Sequence, residues 1–391
     1  MTAPTLTADA VPRRREAARR YRVERSADWP SAIAAWEGEG GAGTAFQDPR
    51  WLEAWYAAHR GRTGAEPVIV TARDGDGRPA LLLPLVRRRV GGVRLAEFAD
   101  LGLTDYNLPL LGPAAPREAA GSARLWRALR RAVPADLLRL RKMPALVDHA
   151  PNPLALVPGA GPCALNGNVV ELGDEFEDFM RGTLARPVRM EFERSWRVFG
   201  RHAGARLRRL TDPEEAVALL DVMDGQQRRR QEAMGGGYDL DRPEAAALYR
   251  RLARLHLADG YAVMTALTAG EEVVAALFAL RTGRTLTVTR LSNAGGRDWS
   301  NCSPGRLLLQ RSMALMHAEG CRRFDFTIGN YDYKRRFGVE PVPLVDLAAA
   351  LTPLGLPGLA RARAAAFLRR QPRLDARVRG WLRRPAPAAG G

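Results

Sequence analysis

Lysine is nearly absent from this chain. Its 60 Lys and Arg residues include only two lysines, and one of them, Lys334, sits in Phe324-Asp325-Phe326-Thr327-Ile328-Gly329-Asn330-Tyr331-Asp332-Tyr333-Lys334-Arg335-Arg336-Phe337-Gly338. Arginine is a planar fork that never deprotonates, whereas lysine is a compact rotatable charge suited to a phosphate oxygen, a carboxylate or a developing oxyanion. A lysine kept among so many arginines points to a place that wants an amine, against the plainer reading of a leftover surface side chain. Cysteine is also scarce. Cys163, Cys302 and Cys321 are odd in number and lack metal-ligand spacing, which argues against a disulfide framework or a zinc site and fits a reducing cytoplasm. None of the five histidines falls in a metal or triad pattern. Long hydrophobic runs are missing too: the softest candidate, Leu344 to Ala360, is broken by Asp346, Pro353, Gly355, Pro357 and Gly358, so a membrane span is excluded. No basic start leads into an apolar core, so no secretory signal is read.

Acidic residues fall short of basic ones by 17. The excess is almost all arginine, spread with Ala, Gly and Pro, and concentrated at the two ends: Arg13 to Arg25, and nine arginines against one aspartate from Arg361 to Arg384. Without aromatic residues interleaved in a basic stripe, or a recognised module, nucleic-acid binding is disfavoured. The hydrophobic share of 46% and charged share of 26% are those of a globular protein. At 391 residues the chain exceeds one ordinary core, and two domains are the expectation.

The predicted elements come in the same order twice. Pro67 to Thr71, Ala80 to Arg87 and Val93 to Phe98 read as strands in meander, then Glu118 to Ala132 as a helix and Leu137 to Leu140 as a strand. In the second half Tyr261 to Leu267, Val273 to Arg281 and Thr285 to Leu291 form the meander, Pro304 to Gly320 the helix and Arg323 to Thr327 the strand. Helices precede each meander, at Pro49 to His59 and at Pro213 to Ala233 with Arg242 to Ala258. The expected division is a basic leader (1–25), two halves (26–165 and 166–350) and a basic helical tail (351–391).

Chemistry concentrates in two places. The loop Ser292 to Arg306 runs from a strand into a helix start, where unpaired amides and glycine favour a close anion. Ser303, Pro304, Gly305 and Arg306 are therefore candidates to hold a phosphate, the alternative being a helix capped by its own Ser303. In the first half, Thr104-Asp105-Tyr106-Asn107-Leu108-Pro109 is a polar knot between apolar segments. Asp105 and Tyr106 are candidate acceptor contacts, the alternative being an Asx-turn with a half-buried tyrosine.

The order Ala275-Ala276-Leu277-Phe278, Ser303-Pro304-Gly305-Arg306-Leu307-Leu308-Leu309, Gly320, Phe324-Asp325-Phe326, Gly329 and Tyr333-Lys334-Arg335-Arg336-Phe337-Gly338 resembles the GNAT acyltransferases of the branch associated with cellulose and exopolysaccharide biosynthesis. That branch is similar to the Fem peptidyltransferases, which share a Phe/Tyr-Lys-x-x-Phe signature. The detailed match covers Arg228 to Gly338, and a looser one through Phe46-Gln47-Asp48-Pro49-Arg50-Trp51-Leu52 covers the first half. The resemblance implies an α/β fold of tandem GNAT-like domains, each a mixed, mainly antiparallel sheet flanked by helices. It implies acetyl-CoA or another acyl-CoA as cosubstrate in the second half, without a metal, with the pyrophosphate at Ser303 to Arg306 and with Asn330 and Tyr333 beside the donor. Lys334 is then expected near the transferred acyl group or a substrate phosphate, where an ammonium stabilises anionic charge.

One departure stands out. Relatives show His and Trp in the helix before the second meander, where this chain has Gln227 and Gln231. Gln is no general base. Proton transfer then falls to a water relay, to Asp325 or Asp332, or to an amine that attacks already neutral, while Gln227 and Arg230 are left as acceptor contacts. The expected activity is acyl transfer to an amine or hydroxyl of a small-molecule or glycan-precursor acceptor. The alternatives are Fem-like aminoacyl transfer to a peptidoglycan precursor, or a non-catalytic scaffold in polysaccharide assembly. The arginine-rich tail from Leu359 to Leu382, broken at Pro372, reads either as basic helices lying on an anionic membrane surface or as a solvated tail.

Overall fold

The computed structural model describes residues 21–36, 43–147, 150–238, 240–329 and 331–369. The first half runs through β1 (Arg22–Ser26), α1 (Trp29–Ala34), α2 (Pro49–His59), β2 (Glu66–Arg73), β3 (Pro79–Val90), β4 (Val93–Phe98), the short β5 (Leu110–Leu111), α3 (Ala119–Ala132) and β6 (Leu137–Pro144). A small hairpin, β7 (Leu146–Val147) and β8 (Ala150–Pro151), leads to β9 (Gly161–Glu171), α4 (Phe176–Thr183) and α5 (Arg186–Phe199). The second half repeats the first with β10 (Arg206–Arg209), α6 (Pro213–Ala233), α7 (Pro243–His256), β11 (Ala262–Ala269), β12 (Glu272–Thr282), β13 (Thr285–Asn293), α8 (Arg297–Ser300), α9 (Pro304–Ala318) and β14 (Arg323–Asp325). Then come α10 (Asp332–Arg335), β15 (Glu340–Ala350) and α11 (Leu356–Arg369).

Local chemistry explains the boundaries. Asp48 caps α2 by accepting from the Arg50 amide at 2.9 Å and Asp212 caps α6 by accepting from Glu215 at 2.7 Å, each with proline next. The run Val274–Leu280 is buried without alternation because helices cover both faces of β12. Arg22–Ser26, the end of the stretch read as a leader, is instead an edge strand paired with β2. Thr327, expected to extend the last strand, is left-handed (φ 59°) and ends it at Asp325.

The strands form one mostly antiparallel sheet in the order β1-β2-β3-β4-β6-β15-β9-β14-β13-β12-β11-β10. Its centre is an exchange. β9 follows β6 in the chain but pairs with β14, β15 follows β14 but pairs with β6, and β9 and β15 pair with each other. Each half is thus completed by a strand from the other, and the boundary expected at 165–166 falls inside β9. One helical layer, α1, α2, α6 and α7, buries a core shared by both halves, with Trp51 against Tyr249 across them. The opposite face carries separate cores, under α3 in the first half and under α4, α5 and α9 in the second.

Two parallel contacts matter for the site. β4 meets β6 only over Leu95–Glu97, and β13 meets β14 only over Thr285–Thr287, after which β13 continues alone on that side to Asn293. The sheet is therefore split at β13 and β14.

Candidate active site

The loop after β4 and the loop after β14 meet at the seam. The Tyr106 hydroxyl donates to Asp325 Oδ1 at 2.9 Å, and the Thr327 amide donates to the same oxygen at 2.7 Å. Asp325 is buried, and that burial pushes its carboxyl up to about 6 against those hydrogen bonds. Tyr106 reaches it across Gly167 of β9, where a Cβ would stand 2.2 Å from the phenol oxygen.

Lys334 lies on the other side of this loop, 3% exposed. Its Nζ donates to the carbonyls of Phe326 (2.7 Å), Thr327 (3.3 Å) and Ile328 (2.7 Å). The ammonium expected to meet a donor anion is turned inward, and each of its three protons has a backbone acceptor. Desolvation lowers it to about 8, offset by Asp105 and Asp325. The left-handed Thr327 makes this convergence possible by curling three consecutive carbonyls round one point, and Asn168 of β9 ties the outside of the turn through Thr327 O (2.8 Å) and Gly329 O (3.1 Å).

The chain's other lysine is in the same place. Lys142, on β6, pairs with Asp100 at 2.7 Å and donates to the Thr104 carbonyl. Asp100 in turn accepts from the Gly102 and Thr104 amides and from Asn107, so Lys142 anchors the loop that carries Asp105. Asp105 is half-buried between the two lysines. Burial raises its carboxyl, the Thr327 side chain and the Lys142 and Lys334 charges pull it back, and Asp100 adds to the rise. The four non-glycine residues with positive φ among those described, Leu101, Lys142, Ser303 and Thr327, all border these loops or the α9 start. Such conformations cost about 1–3 kcal/mol each and persist where surrounding contacts hold them.

The α9 start abuts the end of β13 that is paired only with β12: a Cβ on Gly305 would lie 3.3 Å from Asn293 Nδ2. Ser303 does not cap α9. It is left-handed, and its hydroxyl accepts from Arg306 at 2.7 Å, so the first-turn amides lack a side-chain cap. Glu191 of α5 joins Arg306 (2.7 Å) to Arg336 (2.6 Å), fastening the α9 start to the Lys334 segment. These free amides, the close glycine and the flanking guanidinium fit a phosphate.

The remaining candidates are scattered. Asp332 is exposed and pairs loosely with Arg335 at 3.6 Å. Gln227 donates to the Leu291 carbonyl of β13, and its neighbour Gln226 bridges Val273 O and Ser292 at 2.7 Å each. Arg230 is exposed and near Tyr333, whose phenol burial pushes up to about 12. Asn330 lies outside the described residues. Asp100, Lys142, Asn168, Gly167 and Glu191 were not singled out by motif; for Lys142 the signal was the same rarity that marked Lys334. Among the described residues no cluster of His, Cys, Asp and Glu could hold a metal.

A helix-flanked sheet split beside an uncapped helix start defines a class, that of GNAT-type folds. Residues 186–335 match the acetyltransferase (GNAT) domain family. The crystal structure of FemX covers 85% of this chain and 99% of its own at 12% identity and a TM-score of 0.55. A conserved protein of unknown function from Bacteroides thetaiotaomicron VPI-5482 covers 85% and 100% at 11% identity and 0.50. A tandem GNAT protein from the clavulanic acid biosynthesis pathway covers 85% and 99% at 15% identity and 0.45. FemX and the Bacteroides protein share the fold over both halves. No curated protein matches the chain in sequence.

Proposed function

We propose that the second half, completed by the Asp105 loop of the first, transfers an acyl group from an acyl-CoA, acetyl in the simplest case, to an amine or hydroxyl of a sugar or cell-envelope precursor. One observation carries this reading: a largely buried carboxylate, Asp105, lies between two buried lysines where the β13–β14 split opens beside the uncapped α9 start. The α9 amides and Arg306 would hold the donor's pyrophosphate, with the thioester directed into the split.

In the reaction the acceptor nitrogen or oxygen bonds to the acyl carbon, the carbon–sulfur bond breaks, the nucleophile's proton passes to Asp105, and the thiolate takes a proton from solvent. The raised Asp105 carboxyl is a stronger base than an ordinary aspartate. Asp325 and Lys334, whose polar atoms are turned into the protein, are positioning residues: they fix the 326–328 turn against which Asp105 rests.

Thiol release from acetyl-CoA, followed across a panel of amino sugars and simple amines, tests the reading. Acceptor-dependent release is expected, with Asp105→Asn lowering kcat by about 10²-fold or more. Consumption of aminoacyl-tRNA with acetyl-CoA untouched would replace the donor, and no turnover of either, with an envelope-glycan synthase bound, would make the chain a scaffold.

A further inference from the structure

Helix α11 turns an unusual face to solvent. It packs on the ends of β15, β9 and β6, yet its outward stripe, Leu356, Ala360, Arg363, Ala364 and Phe367, is apolar apart from one arginine. These positions recur at i, i+4, i+7, i+8 and i+11, one line along a helix. Leu354 just before it is 64% exposed, with Leu356 at 56% and Phe367 at 59%. A solvated helix would place charged or polar groups there. Arg361 flanks the stripe, and no acidic residue occurs between Asp346 and Asp375, while nine arginines lie between Arg361 and Arg384.

We infer that this face docks on a phospholipid bilayer bearing anionic headgroups. The apolar side chains would enter the headgroup boundary while the arginines meet lipid phosphates, the combination that holds an interfacial helix. Among the described residues no helix is long and apolar enough to cross a membrane, so the contact is peripheral. A polyanion such as RNA would satisfy the arginines but gives no reason for exposed Leu354, Leu356 and Phe367. The docking face lies at the Ala350 end of β15, whereas the reaction centre lies beside the middle of that strand: Tyr106 crosses Gly167, which pairs with Val342, and the Lys142 amide donates to Asp346 at 3.0 Å.

Sedimentation of the full chain with phosphatidylcholine vesicles, with and without phosphatidylglycerol, tests this. Binding is expected to be at least about tenfold stronger with the anionic lipid and to weaken with salt. Leu356→Asp with Phe367→Asp should reduce binding by about tenfold, at an unchanged thermal midpoint because both side chains face solvent, and Arg361→Glu with Arg363→Glu should remove the preference for phosphatidylglycerol. Equal partition to both vesicle types, or wild-type binding by either double variant, overturns the inference. So does binding of single-stranded RNA with vesicles left free. Donor binding in solution is independent of these substitutions, so failure here leaves the acyl-transfer reading intact.

Discussion

The Tyr106 phenol and the Asp325 carboxylate, 219 positions apart, share a hydrogen bond of 2.9 Å that joins the two halves at the point where their loops meet. Tyr106→Phe removes the donor and leaves a buried carboxylate with one partner fewer. The expected loss is about 1.5–3 kcal/mol in urea denaturation, together with a further rise of the Asp325 carboxyl. An unchanged midpoint would show that the contact does not couple the halves.

Asp325 also predicts a pH dependence. Its folded carboxyl stands near 6 against an ordinary 3.8, so the folded state holds the proton more tightly and the carboxylate is penalised by burial. That penalty is absent below about pH 4 and grows to about 3 kcal/mol as pH rises through 6. Stability measured for Asp325→Asn relative to wild type should improve across that window, and a difference independent of pH would refute the assignment.

Lys142 anchors the Asp105 loop through a pair whose side chains are 11% and 17% exposed. Lys142→Met strands Asp100 and should cost about 3–5 kcal/mol. Lys142→Arg keeps the charge and should recover part of it. Faster hydrogen exchange at the Gly102 and Thr104 amides, which Asp100 holds, distinguishes loosening of this loop from global unfolding.

Gly167→Ala places a methyl carbon 2.2 Å from the Tyr106 hydroxyl in the present arrangement. The phenol must move, and a loss of about 1–3 kcal/mol follows. Combined with Tyr106→Phe the effects should be less than additive, because the hydrogen bond is lost in both.

Much of the fold was readable because the signals were local. Val93–Phe98, Pro49–His59 and Pro213–Ala233 end where proline, aspartate caps and turn residues place them. The exchange of β9 and β15 was not readable, since nothing in either strand's alternation names its partner across the molecule. The site was half legible. Rarity singled out Lys334, and the Thr104–Pro109 knot singled out Asp105 and Tyr106. Yet the inward turn of the ammonium depends on the left-handed Thr327, a β-branched residue in a conformation that sequence gives no reason to expect. Lys142 was equally rare but lay outside any motif, and only the seam brings it to Asp105.

Calorimetric titration of coenzyme A and acetyl-CoA into the full chain, beside Gly305→Val and Asp105→Asn, addresses the central claim most directly. The native chain should bind stoichiometrically, Gly305→Val at least about tenfold more weakly because its side chain fills the approach to β13 and the α9 amides, and an inactive Asp105→Asn undiminished. No binding of either compound, or binding indifferent to Gly305→Val, would contradict it.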